Sequence, residues 1–382
     1  MTYRVVQWAT GAIGKTCLRA VLDRPDLSLV GLYVYSERKQ GQDAGTIARY
    51  PQTGVLATRD IEEILALDAD VVIHTARLQL PYERHDADIC ALLSSGKNVI
   101  TTAGNHYPAA HGAARLAMFD QAARAGRATL FGTGMNPGYI VERLVLGLTG
   151  VCTDVERIEV VELLDASSMP DPDFVFTVMG MGSDPASLDL QAGQLATLYG
   201  KLYGEAIAFL AGQMNVVLDE IRPDHRVVAA DRDLQVGAGR IRAGTVAATE
   251  WRWHAISAGR RFCTLTIIWT MDPQLATTAT ATTGPSRSAG GPIFISVSTC
   301  PTRRTPACAP RPASTSRPGP LSTPSATWWP PRPVSSPRRS SRPTGGSRRH
   351  QRRRNWHRAR RPRPGSASRA AHGGKWSSAG PG

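Results

Sequence analysis

The sequence predicts an α/β fold: a doubly wound parallel sheet, then a smaller α+β layer, then a basic tail. Three observations carry that expectation. Short apolar strands alternate with helical segments through the first third, Gly-separated strands follow a long helical stretch later, and composition changes abruptly near Leu275. Strands alternating with helices make right-handed βαβ units, which assemble into parallel sheets.

The first strand reads from Tyr3 to Trp8, and a helix follows from Gly14 to Leu22. Leu27–Tyr35 reads as the second strand. Asp60–Leu65 is a short helical pattern feeding an apolar strand at Asp70–His74. Arg84–Leu93 is helical and feeds Asn98–Thr102, and Gly112–Ala125 is helical and feeds Ala128–Phe131. After Gly138 the pattern changes. A helix at Tyr139–Leu148 precedes a strand at Arg157–Leu164, and a helical stretch covers Leu188–Gln213 as core or dimer interface. Val227–Ala229, Gly239–Arg242, Thr245–His254 and Arg261–Met271 then predict an antiparallel sheet with Gly turns. The expected divisions are 1–138 for a dinucleotide-binding domain, 139–275 for a substrate and oligomerisation domain, and 276–382 for a tail.

The tail is a separate composition class. Of the 45 Lys and Arg, 20 fall after Leu275, with 17 of the 27 prolines and none of the 31 Asp and Glu. Residues 1–275 keep 25 basic against 31 acidic residues, a net charge of −6, so the overall +14 belongs to the tail. Pro, Arg, Ser and Thr without periodicity predict a disordered segment. The genetic code offers a sharper reading. With codons chosen freely, Ala289–Val334 read from each codon's third base gives an alternating strand, then a helical pattern, with acidic residues restored. In that reading Trp328-Trp329-Pro330 must give Val-Ala, because the bases that matter are fixed. The tail is therefore expected to be an out-of-frame translation, a frameshift after residue 275.

Other classes are excluded or set aside on composition. No stretch approaches the ~20 uncharged apolar residues of a membrane-spanning helix. Met1–Val6 runs straight into a strand, so no signal peptide is expected. The six cysteines have no paired or metal-like spacing, which predicts no metal and a reducing, cytoplasmic setting.

The strongest chemical signal is Ala9-Thr10-Gly11-Ala12-Ile13-Gly14, between the first strand and the first helix. It is G-x-G-x-x-G with Ala in the first place. Gly11 lets backbone approach a pyrophosphate, Gly14 permits close helix-on-strand packing, and the helix N-terminus offers free N–H groups. This is a Rossmann-type dinucleotide site. The same residues fit a P-loop that has lost its first glycine, ending Gly14-Lys15-Thr16. Asp70 stands at the wrong end of its strand to hold that motif's metal, so nucleotide hydrolysis is set aside.

Cofactor choice is read at the end of the second strand. Ser36, Arg38 and Lys39 suit a 2′-phosphate and favour NADP(H), while Glu37 leaves NAD(H) open. Three further turns lie at carboxyl ends of strands: His74-Thr75-Ala76-Arg77, Thr101–His106 and Gly132–Gly138. Their small and hydroxyl side chains suit a nicotinamide, and Thr75 is assigned to the cofactor.

Together, the ATGAIG turn, the Asp70–Ala76 strand, Thr101-Thr102-Ala103-Gly104 and Gly134–Gly138 resemble dihydrodipicolinate reductase-like oxidoreductases. The 2,4-diaminopentanoate dehydrogenase-like branch is the nearest. The likeness is best over residues 1–140 and fainter to about 275. It implies a Rossmann domain, an α+β substrate domain, homo-oligomers when the C-terminus is intact, and nicotinamide-dependent hydride transfer. It also implies that Thr102, Gly104 and Asn136 lie beside the nicotinamide. Dihydrodipicolinate reductases carry a His-His pair and a following Lys, whereas Glu159–Ser168 here has neither, so the lysine-pathway reaction is not implied.

Hydride transfer often needs one acid to manage a proton. His106, Glu162 and Asp165 are the candidates, the two acids leaving their strand on opposite faces and suiting an amine. Three functions result: an oxidoreductase acting on a small amine, imine or keto substrate; a cofactor-binding sensor; or nucleic-acid binding through the tail, the remote alternative.

Overall fold

The computed structural model describes residues 1–276 and 293–299. Strand β1 (Tyr3–Trp8) turns through Ala9–Gly11 into helix α1 (Ala12–Asp23), and β2 (Leu27–Tyr33) returns beside β1. Two short elements follow, α2 (Ala44–Ala48) and β3 (Ala57–Thr58). Helix α3 (Ile61–Ala66) leads into β4 (Val71–His74), α4 (Asp86–Ser94) into β5 (Asn98–Thr101), and α5 (Ala113–Gly126) into β6 (Leu130–Gly132). The six strands are all parallel, in the order β3-β2-β1-β4-β5-β6. The winding reverses between β1 and β4, and such sheets take ligands outside the carboxyl ends of the strands at that point.

Apolar side chains of the strands meet those of the helices. Val6, Trp8, Val72 and Val99 pack with Ile89, Leu92, Leu93 and Phe119. Leu18 of α1 packs with Leu32, Val34 and Ala44 in a second cluster. Each such burial is worth about 1.5–3 kcal/mol, which holds the strand ends in fixed positions.

One residue in the turn departs from its conformational preference. Ala9 has φ 70°, in the left-handed region, where the motif ordinarily places glycine. That conformation costs a non-glycine residue about 1–2 kcal/mol. Glycine costs roughly 0.4–1 kcal/mol more in unfolded-chain entropy. Ala9→Gly is therefore expected to raise stability by roughly 0.5–1 kcal/mol. A urea midpoint equal to or below that of the parent protein would show that the turn is unstrained.

The second layer begins with a turn of π-helix at Ile140–Val145 that runs into α6 (Leu146–Thr149). Then come β7 (Val155–Asp165), α7 (Gln194–Gln213), β8 (Glu220–Pro223) and β9 (Arg226–Ala229). A small hairpin, β10 (Leu234–Val236) with β11 (Gly239–Ile241), precedes the long strands β12 (Val246–Ser257) and β13 (Arg260–Thr270). Short helix α8 (Pro273–Ala276) and β14 (Ile293–Thr299) end the described chain. The sheet order is β14-β7-β13-β12-β8, with β9 also paired to β12. Ile158, Val160, Trp251, Trp253, Leu265 and Ile267 pack against Leu202, Tyr203, Ala206, Ile207 and Leu210 of α7, so that helix is core.

Three expectations are corrected here. The sheet is mixed rather than antiparallel, because β7 runs parallel to β13 with Ile158–Asp165 beside Cys263–Thr270. A long crossover joins them, as a parallel neighbour requires. Helix α7 starts at Gln194 rather than Leu188, since Asp189 Oδ1 accepts the N–H groups of Gln191 and Ala192 (both 2.9 Å) and turns the chain first. Finally, β14 lies inside the stretch expected to lack structure, paired antiparallel along β7. Its Ile295 and Val297 alternate with Ser296 and Ser298 and pack on the core, a period-two pattern hidden among Ser and Thr. The frameshift and disorder readings of the rest of 276–382 lie outside the described residues. Among the described residues, no helix is long and apolar enough to cross a membrane and no His, Cys, Asp and Glu group could hold a metal ion.

Candidate active site

The turn after β1 is built from beneath. Gln7 is a polar residue inside an apolar strand, fully buried. Its Nε2 donates to Thr75 Oγ1 (2.9 Å), the Ala9 carbonyl (3.0 Å) and the Trp8 carbonyl (3.1 Å). Thr75 Oγ1 in turn donates to the Trp8 carbonyl (2.9 Å). Thr75, assigned from sequence to the cofactor, is thus a buried strut under the turn. Gly14 closes the same spot: a Cβ there would collide with the Ala9 carbonyl and lie 2.7 Å from Thr75 Oγ1. Gly11 is the opposite case, with nothing within 4 Å of where its Cβ would stand. The open side of the turn is lined by Gly11 and the exposed Ile13. These residues fit a dinucleotide: one glycine clears space for phosphates and the other seats the helix.

Cations gather at the same turn. Lys39 Nζ donates to Thr10 Oγ1 (2.9 Å) and to the Thr10 carbonyl (3.0 Å). Partial burial, and then the neighbouring charges of Lys15 and Arg38, lower its pKa. Ser36 sits just before the single turn Glu37–Lys39, and its carbonyl accepts the Lys39 N–H (3.0 Å). Glu37 and Arg38 are exposed. Nearby, Trp8 Nε1 donates to Tyr35 Oη (2.9 Å) and stacks on Tyr33.

The other strand-end turns adjoin one another. Thr102 N–H donates to the His74 carbonyl (3.0 Å), tying the turn after β5 to the end of β4. His74 is fully buried, and burial, then His85, lower its pKa to about 3, so it is neutral. Gly104 and Asn105 are both left-handed (φ 84° and 62°). A Cβ on Gly104 would strike the Tyr82 ring, with Cζ at 2.8 Å. A Cβ on Gly132 would lie 2.6 Å from the His106 Cα, so the 101–106 turn touches the start of the 132–138 turn.

Asn136 and Glu162 meet, although 26 residues apart: Asn136 Nδ2 donates to Glu162 Oε2 (2.8 Å). Glu162 is only 5% exposed, and burial raises its pKa against the opposing bond from Asn136. Its Oε1 has no hydrogen-bond partner among the described residues. Asp165 is not brought there. It is exposed at the end of β7, where its Oδ1 accepts the Ser167 N–H (2.9 Å) and shapes a turn. His106 is half-buried; its N–H donates to Glu205 Oε2 (3.0 Å), and its Nδ1 is buried without a partner.

Sequence reasoning missed Gln7, Tyr82, Arg115 and Glu205. Two of them carried a signal. Gln7 interrupts an apolar strand, and Glu205 falls three residues after Leu202 on the apolar face of a helix.

The chain is similar to known proteins. Residues 5–106 match the family described as dihydrodipicolinate reductase, N-terminus. An amine dehydrogenase of Streptomyces virginiae is 31% identical over 261 residues, which is 66% of this chain and 71% of that protein. The solved amine dehydrogenase of Mycobacterium smegmatis is similar in fold, with a TM-score of 0.61 at 18% identity. That similarity covers 79% of this chain and 88% of that one.

Proposed function

The chain belongs to the dihydrodipicolinate reductase-like NAD(P)-dependent oxidoreductases, the family of the Streptomyces amine dehydrogenase, and from that premise we propose that it interconverts a small amine and its imine or carbonyl counterpart with NADP(H). The observation that carries the substrate class is the Asn136–Glu162 pair. A carboxylate with little solvent around it favours a positively charged partner, and a protonated amine or iminium supplies one. The Asn136 N–H occupies Oε2 and leaves Oε1 for the substrate nitrogen.

A bound nicotinamide would supply hydride transfer at the substrate carbon. The chain's own residues do the rest. Gly11 and the α1 N-terminus receive the pyrophosphate, and Thr102, Gly104 and Asn136 border the ring. Ser36, Arg38 and Lys39 face the adenosine ribose. In the amine-oxidising direction, Glu162 takes up the proton that the ammonium must lose and releases it to solvent, so that its ionised form faces the iminium left after hydride loss. Water adds to that carbon afterwards, releasing ammonium and the carbonyl compound. His106, at the rim of the 101–106 turn, is a secondary candidate for moving the proton. The relatives named as enzymes favour turnover over a purely sensing role.

The cofactor preference has a direct test. Lys39→Ala removes one charge-assisted hydrogen bond to a 2′-phosphate, worth about 1.5–3 kcal/mol or roughly 10- to 150-fold in affinity. The NADPH dissociation constant should rise by that factor while NADH binding changes little. Equal loss for both cofactors, or none for either, would overturn the NADP(H) preference. Amine-dependent reduction of NADP⁺ by the parent protein tests the reaction itself.

A further inference from the structure

We propose that Glu205, in the middle of α7, is a positioning residue for hydride transfer: it reaches from the second layer and sets the 102–106 turn that borders the nicotinamide. This role rests on the cofactor reading above. Glu205 has 0% exposure. Taking a carboxylate out of water costs several kcal/mol unless donors converge on it. Here they do. Oε2 accepts both the Tyr82 hydroxyl (2.9 Å) and the His106 N–H (3.0 Å), and Oε1 lies 3.0 Å from His111 Nε2 without a hydrogen bond to it.

Both hydrogen bonds bear on the turn. The His106 N–H belongs to its last residue. Tyr82 lies under its middle, so close that Gly104 admits no Cβ. Arg115 lies 4.9 Å from the centre of the Tyr82 ring, and its Nη2 donates to Asn105 Oδ1 (2.8 Å) and Asp86 Oδ1 (2.9 Å). Gly104 and Asn105 are consecutive left-handed residues, of the two types that enter that region at least cost and leave it as easily, so the bonds around them enforce one state among several. Glu205 takes part in that enforcement from below, and Arg115 from the side. A leucine at 205 would fill the helix face as well, so packing alone gives no reason for the acid.

The test compares Glu205→Gln, which keeps an acceptor, with Glu205→Leu, which keeps bulk and loses it. In the absence of cofactor, amide hydrogen exchange at residues 104–106 should quicken at least about tenfold in Glu205→Leu, which leaves the part-buried His106 N–H unpaired. Amides of β1 and α1 should be unchanged. With cofactor and amine, kcat should fall at least about tenfold while the amine KM stays within about threefold. Glu205→Gln should restore both readouts to within about threefold of the parent protein. Unchanged exchange and kcat in Glu205→Leu would overturn the proposal, as would a kcat loss that glutamine does not restore. If Glu205→Leu does not fold, Tyr82→Phe removes one of the two hydrogen bonds with almost no change of volume, and the same amides and the same kcat decide. A parent protein that binds no NADPH or NADH overturns the cofactor reading by itself, independently of the variants.

Discussion

Glu162→Gln lowers kcat/KM for the amine by about 100-fold, the cost of removing one member of a hydrogen-bonded, desolvated charge pair. Glutamine accepts the Asn136 N–H as the carboxylate does but carries no charge, so the comparison isolates the interaction with the nitrogen. The pH profile provides a second reading. Burial raises the Glu162 pKa, so the acid limb of kcat/KM lies above the ordinary carboxylate range. Activity rises with pH through that limb, because the ionised form pairs with the cationic nitrogen. Asn136→Ala removes the opposing hydrogen bond and moves the limb higher, and Glu162→Gln abolishes it. Stability carries the opposite sign. A carboxyl whose pKa is raised on folding contributes stability below its unfolded pKa, and that contribution is lost as pH rises through the folded one. At neutral pH the ionised Glu162 therefore works against the fold, and the glutamine variant should melt no lower than the parent. An amine kcat/KM within about threefold of the parent, with the acid limb intact, would remove Glu162 from the mechanism.

Gly14→Ala should cost about 3 kcal/mol of stability and most of the cofactor affinity, at the upper end of the usual penalty for overpacking a closed site. The added methyl meets the Ala9 carbonyl, part of a turn pinned by Gln7 and Thr75, so neither side can yield. Gly11→Ala is the matched control. Gly11 has φ −68° and open space around it, so alanine there should leave stability unchanged. NADPH binding should nevertheless weaken at least about tenfold, because the methyl occupies room that the phosphates need. Chemical denaturation and fluorescence titration separate the two effects. Full stability in Gly14→Ala, or unimpaired NADPH binding in Gly11→Ala, would show that the turn is not the phosphate cradle.

The parallel sheet was legible because each of its units is local: an apolar strand, a turn, an amphipathic helix. Glycines 11 and 14 were legible for the same reason, since spacing alone distinguishes the open position from the crowded one. What failed was non-local. The parallel partnership of β7 with β13 depends on a crossover through α7 and the strands that follow it, and no window of sequence contains it. Glu162 could be picked out as an acid at a strand end, but its partner Asn136 is chosen by the fold. Thr75 looked like a ligand contact because hydroxyls at strand ends often are; its bond to Trp8 shows the competing use. Asp165 satisfies a backbone amide of its own turn, the commonest fate of an Asp at the end of a strand. Glu205 went unread because an acid on the apolar face of a helix signals burial but not which two donors, distant in sequence, reach it.

The bond from Lys39 to Thr10 means that the protein supplies this cation with partners of its own. Under the proposed NADP(H) preference, a 2′-phosphate has to compete with two neutral oxygens for that ammonium, and its charge decides the competition. A dinucleotide without the phosphate leaves the internal bond in place and loses nothing by doing so. Selectivity is then an exchange of partners within the protein, a difference between two occupied states rather than between an occupied site and a bare one. Salt, which screens the incoming anion but scarcely touches the internal bond, should narrow the gap between the two cofactors as ionic strength rises.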